Sequence, residues 1–148
     1  KFGDGWRFDA SYTHLHAPQT QTVLPLVDPF DGTPVTAQAV RRAKNIASAS
    51  LSWAPVHRPF SANVTVRYNG RQNDLAFIDP SFVPALARLK SFTLVNLNAG
   101  YKIGRHVELY ARVENLLNQR YQEIFSFVAQ GRAASGGVRV PFSGHVLA

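Results

Sequence analysis

The chain has 148 residues, no cysteine, no methionine and a formal net charge of +7. Disulfides and thiolate metal sites are therefore excluded, and no run of about 18 apolar residues exists to cross a bilayer as a helix. The Lys and Arg residues are scattered, with Arg41-Arg42 the longest run; no basic stripe or stacking motif accompanies the charge, so no nucleic-acid partner is expected. With no Met, and with strand-like residues close to its start, the chain reads as a piece of a longer protein.

Taken in chain order, six stretches alternate apolar and polar residues. Their apolar rows are Trp6-Phe8-Ala10-Tyr12, Ala47-Ala49-Leu51-Trp53, Phe60-Ala62-Val64-Val66-Tyr68, Val95-Leu97-Ala99-Tyr101, Val107-Leu109-Ala111-Val113 and Ala134-Gly136-Val138-Val140-Phe142. The opposite rows hold Arg7, Asp9, Arg67, Lys102, Glu108, Arg112, Glu114 and Arg139. Successive side chains of a strand point to opposite faces, so one face of the expected sheet is uncharged and the other is wet. Each stretch is about ten residues long, which exceeds the common globular strand and matches a tilted strand crossing a bilayer.

The connections alternate in length. Residues 17–42, 70–90 and 117–131 are long, whereas 54–59 and 104–106 are short. Outer-membrane barrels show this alternation, with short periplasmic turns and long extracellular loops. Setting the short turns in the periplasm brings Trp6, Trp53, Phe60, Tyr101 and Phe142 to one level, the expected periplasmic aromatic girdle. Tyr12 and Tyr68 mark the opposite rim. The C-terminus is then periplasmic. The expected fold is all-β: an antiparallel up-and-down transmembrane β-barrel, here an incomplete sheet of about six strands. Six strands cannot close a barrel, and open edges in lipid leave backbone groups without partners. Further strands are therefore expected. The pattern alone also fits one half of a soluble β-sandwich.

The inner row carries Ser48, Ser50, Ser52, Asn63, Thr65, Asn69, Asn96 and Asn98 beside its charges. Lys102 with Glu108, and Arg112 with Glu114, are candidate ion pairs. His14 and His16 share a parity but have no evident third metal ligand. Asp28, Asp31, Asp74 and Asp79 lie in long loops without an EF-hand-like spacing, and read as solvated loop charge. No metal, cofactor or catalytic residue is expected, and no nucleophile–base pair can be assembled, so the chain is not read as an enzyme. Phe30, Phe77, Phe82, Phe125 and Phe127 are loop aromatics suited to contact a large organic ligand. Arg41, Arg42 and Lys44 at the outer rim are candidates for lipopolysaccharide phosphate.

Residues 107–121, VELYARVENLLNQRY, and 131–142, GRAASGGVRVPF, resemble the closing strands of TonB-dependent outer-membrane receptors. Glu114, Asn115, Leu116 and Tyr121 match that family's box, and Gly131 and Arg132 keep its spacing with Phe142. Earlier segments agree: Gly5 to Thr13 resembles the family's GW-x-l-x-a-SYT strand, Arg41 to Asn45 begins a strand where the family has Arg-x-Pro, and Val95 to Tyr101 resembles its v-d-l-x-a-x-Y strand. The chain departs from the pattern in its small residues Ala133, Ala134, Gly136 and Gly137, in Pro141, and in continuing past Phe142 to Ala148. Asn115 sits where a strand gives way to a loop and reads as structural, because Asn bonds nearby backbone and tolerates unusual dihedrals. Gly131 reads as supplying a conformation closed to other residues.

The resemblance implies active import. A barrel of about twenty-two strands surrounds a plug, ligand binds outside, and TonB pulls on the plug. Substrates of the family are iron–siderophore chelates, haem, cobalamin or some glycans. The chain would supply the last six strands and three extracellular loops, without plug or TonB box. Implied partners are membrane lipid, lipopolysaccharide, TonB through the missing plug, and a large extracellular ligand. The rival readings are a passive porin-like or structural barrel and a soluble β-sandwich binding module.

Overall fold

A computed structural model describes residues 3–20, 36–77 and 85–140. Phe30, Phe82 and Phe142, with Asp28, Asp31 and Asp79, lie outside the described residues. Among the described residues there are twelve strands: β1 (Trp6–His14), β2 (Pro18–Thr20), β3 (Thr36–Gln38), β4 (Asn45–Trp53), β5 (Phe60–Asn69), β6 (Gln72–Ala76), β7 (Ala85–Leu89), β8 (Phe92–Ile103), β9 (Val107–Glu114), β10 (Gln122–Ile124), β11 (Phe127–Val128) and β12 (Ala133–Arg139). Six of them form one antiparallel sheet in the order β1-β4-β5-β8-β9-β12. These are the six alternating stretches of the sequence. The other six form two-stranded hairpins, β2–β3, β6–β7 and β10–β11, one within each long connection. In sequence those connections read as loops, because strands of two to five residues are too short to display a period of two.

Register carries the face assignment across the whole sheet. Phe8 opposes Leu51, Leu51 opposes Val64, Val64 opposes Leu97, Leu97 opposes Val113, and Val113 opposes Ala134. One uninterrupted apolar row thus crosses six strands. The parallel polar row runs Asp9, Ser50, Thr65, Asn96. A one-residue slip would move every side chain of a strand to the wrong face, so this agreement pins all five pairings.

The apolar face is not the core. Phe8 is 52% exposed, Leu51 44% and Val138 60%. A sandwich would bury this face under a second sheet, and none of the described strands covers it. Among the described residues the buried apolar side chains are Ala39, Ala43, Ala76, Leu89, Phe92 and Leu94. Phe92 and Leu94 share the parity of Asn96 and Asn98, so they point to the inner side, where the loop hairpins cover them. The small hydrophobic core therefore lies beneath the long connections.

The inner face also explains a glycine. Tyr110 on β9 opposes Gly100 on one side and Gly137 on the other. A Cβ at Gly137 would stand 2.7 Å from the Tyr110 hydroxyl and 2.8 Å from its Cζ. The ring thus occupies the space that a side chain at 137 would take, and the Arg139 guanidinium lies 5.0 Å from the ring centroid. Aromatic cover of an edge glycine stabilises such a strand. Gly137→Ala is expected to destabilise β12 by about 1 kcal/mol through overpacking, and the added Tyr110→Ala is expected to remove most of that increment. A double-mutant cycle from denaturant unfolding measures it; additive effects would refute the pairing.

Candidate functional site: the loop junction and the polar wall

The wall below the loops is a hydrogen-bonded polar surface. Asn63 Nδ2 donates to Ser50 Oγ at 2.9 Å and to Ser52 Oγ at 2.8 Å, and Thr65 Oγ1 donates to Asn63 Oδ1 at 3.1 Å. Ser11 and Ser48 share a 2.7 Å hydroxyl contact. The charges pair among themselves: Arg7 with Asp9, Arg112 with Glu114, and Arg139 with Glu108 at 3.2 Å. The Arg112–Glu114 pair agrees with the sequence. The candidate Lys102–Glu108 pair does not form, although the two are register partners; Glu108 takes Arg139 from the neighbouring strand instead.

At the other end, one side chain joins three loops. Asp74, on β6, has a side chain only 1% exposed. Its Oδ1 accepts from Arg41 Nε at 2.8 Å and from the Leu75 amide at 2.9 Å, while its Oδ2 accepts from the Phe125 amide at 2.7 Å. The 36–44, 70–91 and 115–132 connections thereby meet on one carboxylate. Supporting bonds run from the Arg41 amide to Asn73 O at 2.6 Å, from Gln72 Nε2 to Glu123 O at 2.7 Å, and between Arg67 on the wall and Glu123 at 2.8 Å. Arg41 has φ 57°, a left-handed conformation uncommon for a non-glycine residue. This corrects one reading: Asp74 is not solvated loop charge, because hairpin β6–β7 turns its even-numbered face inward. Arg41 gives its Nε to Asp74, and its side chain stays 59% exposed.

Burial pushes the Asp74 carboxyl up, but the Phe125 amide, the Arg41 guanidinium and the Leu75 amide together outweigh it and hold it below the ordinary 3.8. A carboxylate lowered in the folded state contributes stability above its unfolded pKa and loses it as pH falls through the folded value. The junction is therefore expected to stay closed at pH 5 and to loosen only as pH falls below about 4. Hydrogen exchange at the Phe125 amide, corrected for intrinsic rate, should show protection falling in that window; loss already at pH 6 would contradict the assignment.

The motif residues brace the base of the third loop. Buried Asn115 has φ 49°. Its Nδ2 donates to Gln119 O at 2.9 Å and to Gln130 O at 3.3 Å, and its Oδ1 accepts from the Gln119 amide at 2.9 Å. Its own amide donates to Asn96 Oδ1 at 2.9 Å, and the Leu116 amide to Val95 O at 2.8 Å. Tyr121 packs on Phe92 with ring centroids 4.3 Å apart. The Arg132 amide donates to Asn118 Oδ1 at 3.0 Å. Gly131 does not take a positive φ, contrary to the sequence reading. Its reason is proximity: a Cβ there would lie 2.9 Å from Asn118 Oδ1, the atom that caps Arg132.

Of the remaining candidates, Phe77 and Phe127 are exposed, and Phe125 lines a cavity between the second and third loops. That cavity, of about 420 Å³, is bounded by Arg88, Leu89, Lys90, Arg120, Tyr121 and Phe125, among others. His14 Nδ1 and the Tyr12 hydroxyl both meet Asn45 Oδ1, at 2.8 and 2.9 Å. No cluster of three metal-ligating side chains occurs among the described residues. At the short-turn end, Trp6 stacks on Trp53 at 5.8 Å and Trp53 meets Phe60 at 5.7 Å, with Tyr101 the register partner of Phe60. Four of the five aromatics expected to form a girdle thus lie in one row.

The sequence model of the family described as TonB dependent receptor-like, beta-barrel matches residues 2–116. The chain belongs to that family. The match runs from β1 through β9. Solved siderophore receptors share the fold: the siderophore receptor PiuA from Acinetobacter baumannii aligns at 17% identity and TM-score 0.71, over 95% of this chain and 20% of its own. The ferripyoverdine receptor of the Pseudomonas aeruginosa outer membrane, bound to ferripyoverdine, aligns at 17% identity and TM-score 0.68, over 95% of this chain and 18% of its own. The siderophore receptor PirA from A. baumannii aligns at 18% identity and TM-score 0.65, again over 95% and 20%. The chain thus spans about a fifth of the length of these receptors.

Proposed function

We propose that this chain forms part of the barrel wall and loop set of an outer-membrane receptor. The receptor imports an iron–siderophore, cobalamin or similar large ligand, and TonB energises it by acting on a plug domain elsewhere in the protein. The observation that carries this reading is the apolar row that crosses six strands in register and is left exposed, opposite a wall of paired charges and amides. Lipid covers such a face without a second sheet, and a hydrated lumen accepts the other. In this reading Trp6, Trp53, Phe60, Tyr101 and Phe142 sit at the periplasmic interface and the C-terminus is periplasmic. The three braced loops stand outside, and Phe30, Phe77, Phe82, Phe125 and Phe127 are ligand contacts. Further strands cover the free edges of β1 and β12.

The test is uptake of radioiron chelates by cells carrying the full-length receptor, with and without TonB, and with residues 17–42, 70–90 or 117–131 deleted. Uptake should need both TonB and the loops. Uptake that survives without TonB would make the protein a passive barrel, and uptake indifferent to the deletions would remove the loops from ligand capture.

A further inference from the structure

The cavity between the second and third loops has an unusual charge balance. Arg88, Lys90 and Arg120 line it, and no carboxylate does among the described residues. Every Asp or Glu that forms an ion pair among the described residues is engaged elsewhere, with Arg7, Arg41, Arg67, Arg112 or Arg139. Three cations around one opening, without a counter-charge among the described residues, repel one another. The arrangement favours a bound anion. Tyr121, Phe125 and buried Leu89 supply an apolar lining between those cations. Tyr121 rests on Phe92, whose parity points to the inner side of the sheet. The cavity is therefore tied to the lumen side and not to the lipid-facing row. The Phe125 backbone is fixed by Asp74 and that of Gln122 lies in hairpin β10–β11, so the wall is preformed.

We infer that this cavity is a subsite for a ligand that is anionic, carrying at least two acid groups beside a flat apolar group. Arg88, Lys90 and Arg120 hold the acid oxygens, and Tyr121 and Phe125 pack on the flat part. Guanidinium groups suit paired acid oxygens because they donate in a planar fork. The inference rests on the receptor reading and narrows it, since import of large ligands does not by itself fix the ligand's charge. Lipopolysaccharide phosphate shares the acid chemistry, but it would approach from the apolar face.

The probe is the trisulfonated dye 8-hydroxypyrene-1,3,6-trisulfonate, titrated by fluorescence anisotropy into the full-length receptor held in amphipol. The triple variant Arg88→Gln, Lys90→Gln, Arg120→Gln is expected to bind at least tenfold more weakly than the wild type. The wild-type affinity should also fall steeply with salt, and a control change, Arg58→Gln on a short turn, should leave both unchanged. Equal binding by wild type and triple variant, or no binding by either, would overturn the subsite. Displacement of the dye by purified lipopolysaccharide, but not by soluble di- and tri-anions, would overturn it in favour of a lipid site. The experiment needs no transport. Dye binding lost in the triple variant, in a receptor that takes up no chelate, would keep the subsite and discard import; intact import with unchanged dye binding would do the reverse.

Discussion

Arginine at position 64 is expected to cost the folded receptor about 2–4 kcal/mol in a phospholipid bilayer, and arginine at position 65 less than about 1 kcal/mol. Val64 lies in the middle of the apolar row, between Leu51 and Leu97. Along β5 it is equidistant from Phe60 and Tyr68, about 13 Å from each at the usual rise per residue. That places it near the bilayer midplane, where a lipid-facing guanidinium costs most. Thr65 points the other way, among Ser50, Asn63 and Asn96, where a new cation meets water. Denaturant titration of both variants in vesicles provides the comparison. A third variant separates lipid from a protein partner: Val64→Trp should be tolerated in fluid lipid, whereas a packed sheet–sheet core would lose about 1–3 kcal/mol to overpacking. Equal penalties at 64 and 65, or a severe loss with Trp, would remove the bilayer from the account.

The wall was legible in the sequence because its two periodic signals reinforce each other. Parity separates charge from apolar side chains in every long strand, and connection length separates the two ends. Both survive in the pairing register, down to Trp6 opposite Trp53 and Phe60 opposite Tyr101. The loop end was much less legible. Phe92 and Leu94 break the parity rule by putting apolar groups on the wet side, because loop hairpins cover them there. Asp74 carries no local sign of its burial. Its partners lie 33 residues before it and 51 after it in sequence, and neither separation has a periodic signature. Gly131 reads in sequence as a positive-φ glycine, yet its neighbour Asn118 holds the left-handed conformation, with φ 51°. The polar junction depends on long-range pairing, which a single sequence does not display.

Asp74→Ala is expected to release all three loops while leaving the six-stranded sheet intact. The substitution removes the acceptor of two backbone amides, Leu75 and Phe125, and of the Arg41 guanidinium. Arg41 is 59% exposed, so it regains water at little cost. Amides left without an acceptor cost about 1–3 kcal/mol each where water is excluded, which sets the local loss at about 2–6 kcal/mol for the two. Asp74→Asn should lose about half as much. Its oxygen can still serve Arg41 and Leu75, but its NH₂ then faces the Phe125 amide, donor against donor. Arg41→Gln should lose least, because both amides keep their carboxylate. Hydrogen exchange resolves the three variants: protection at Phe125 should fall in the order Arg41→Gln, Asp74→Asn, Asp74→Ala, with the amides of β5 and β8 unchanged. The same order should appear in binding of the trisulfonated dye, because Phe125 forms one wall of its cavity. If Asp74→Ala loosens only the 70–76 segment and leaves Phe125 protected, the loops are held independently and the carboxylate is not their junction.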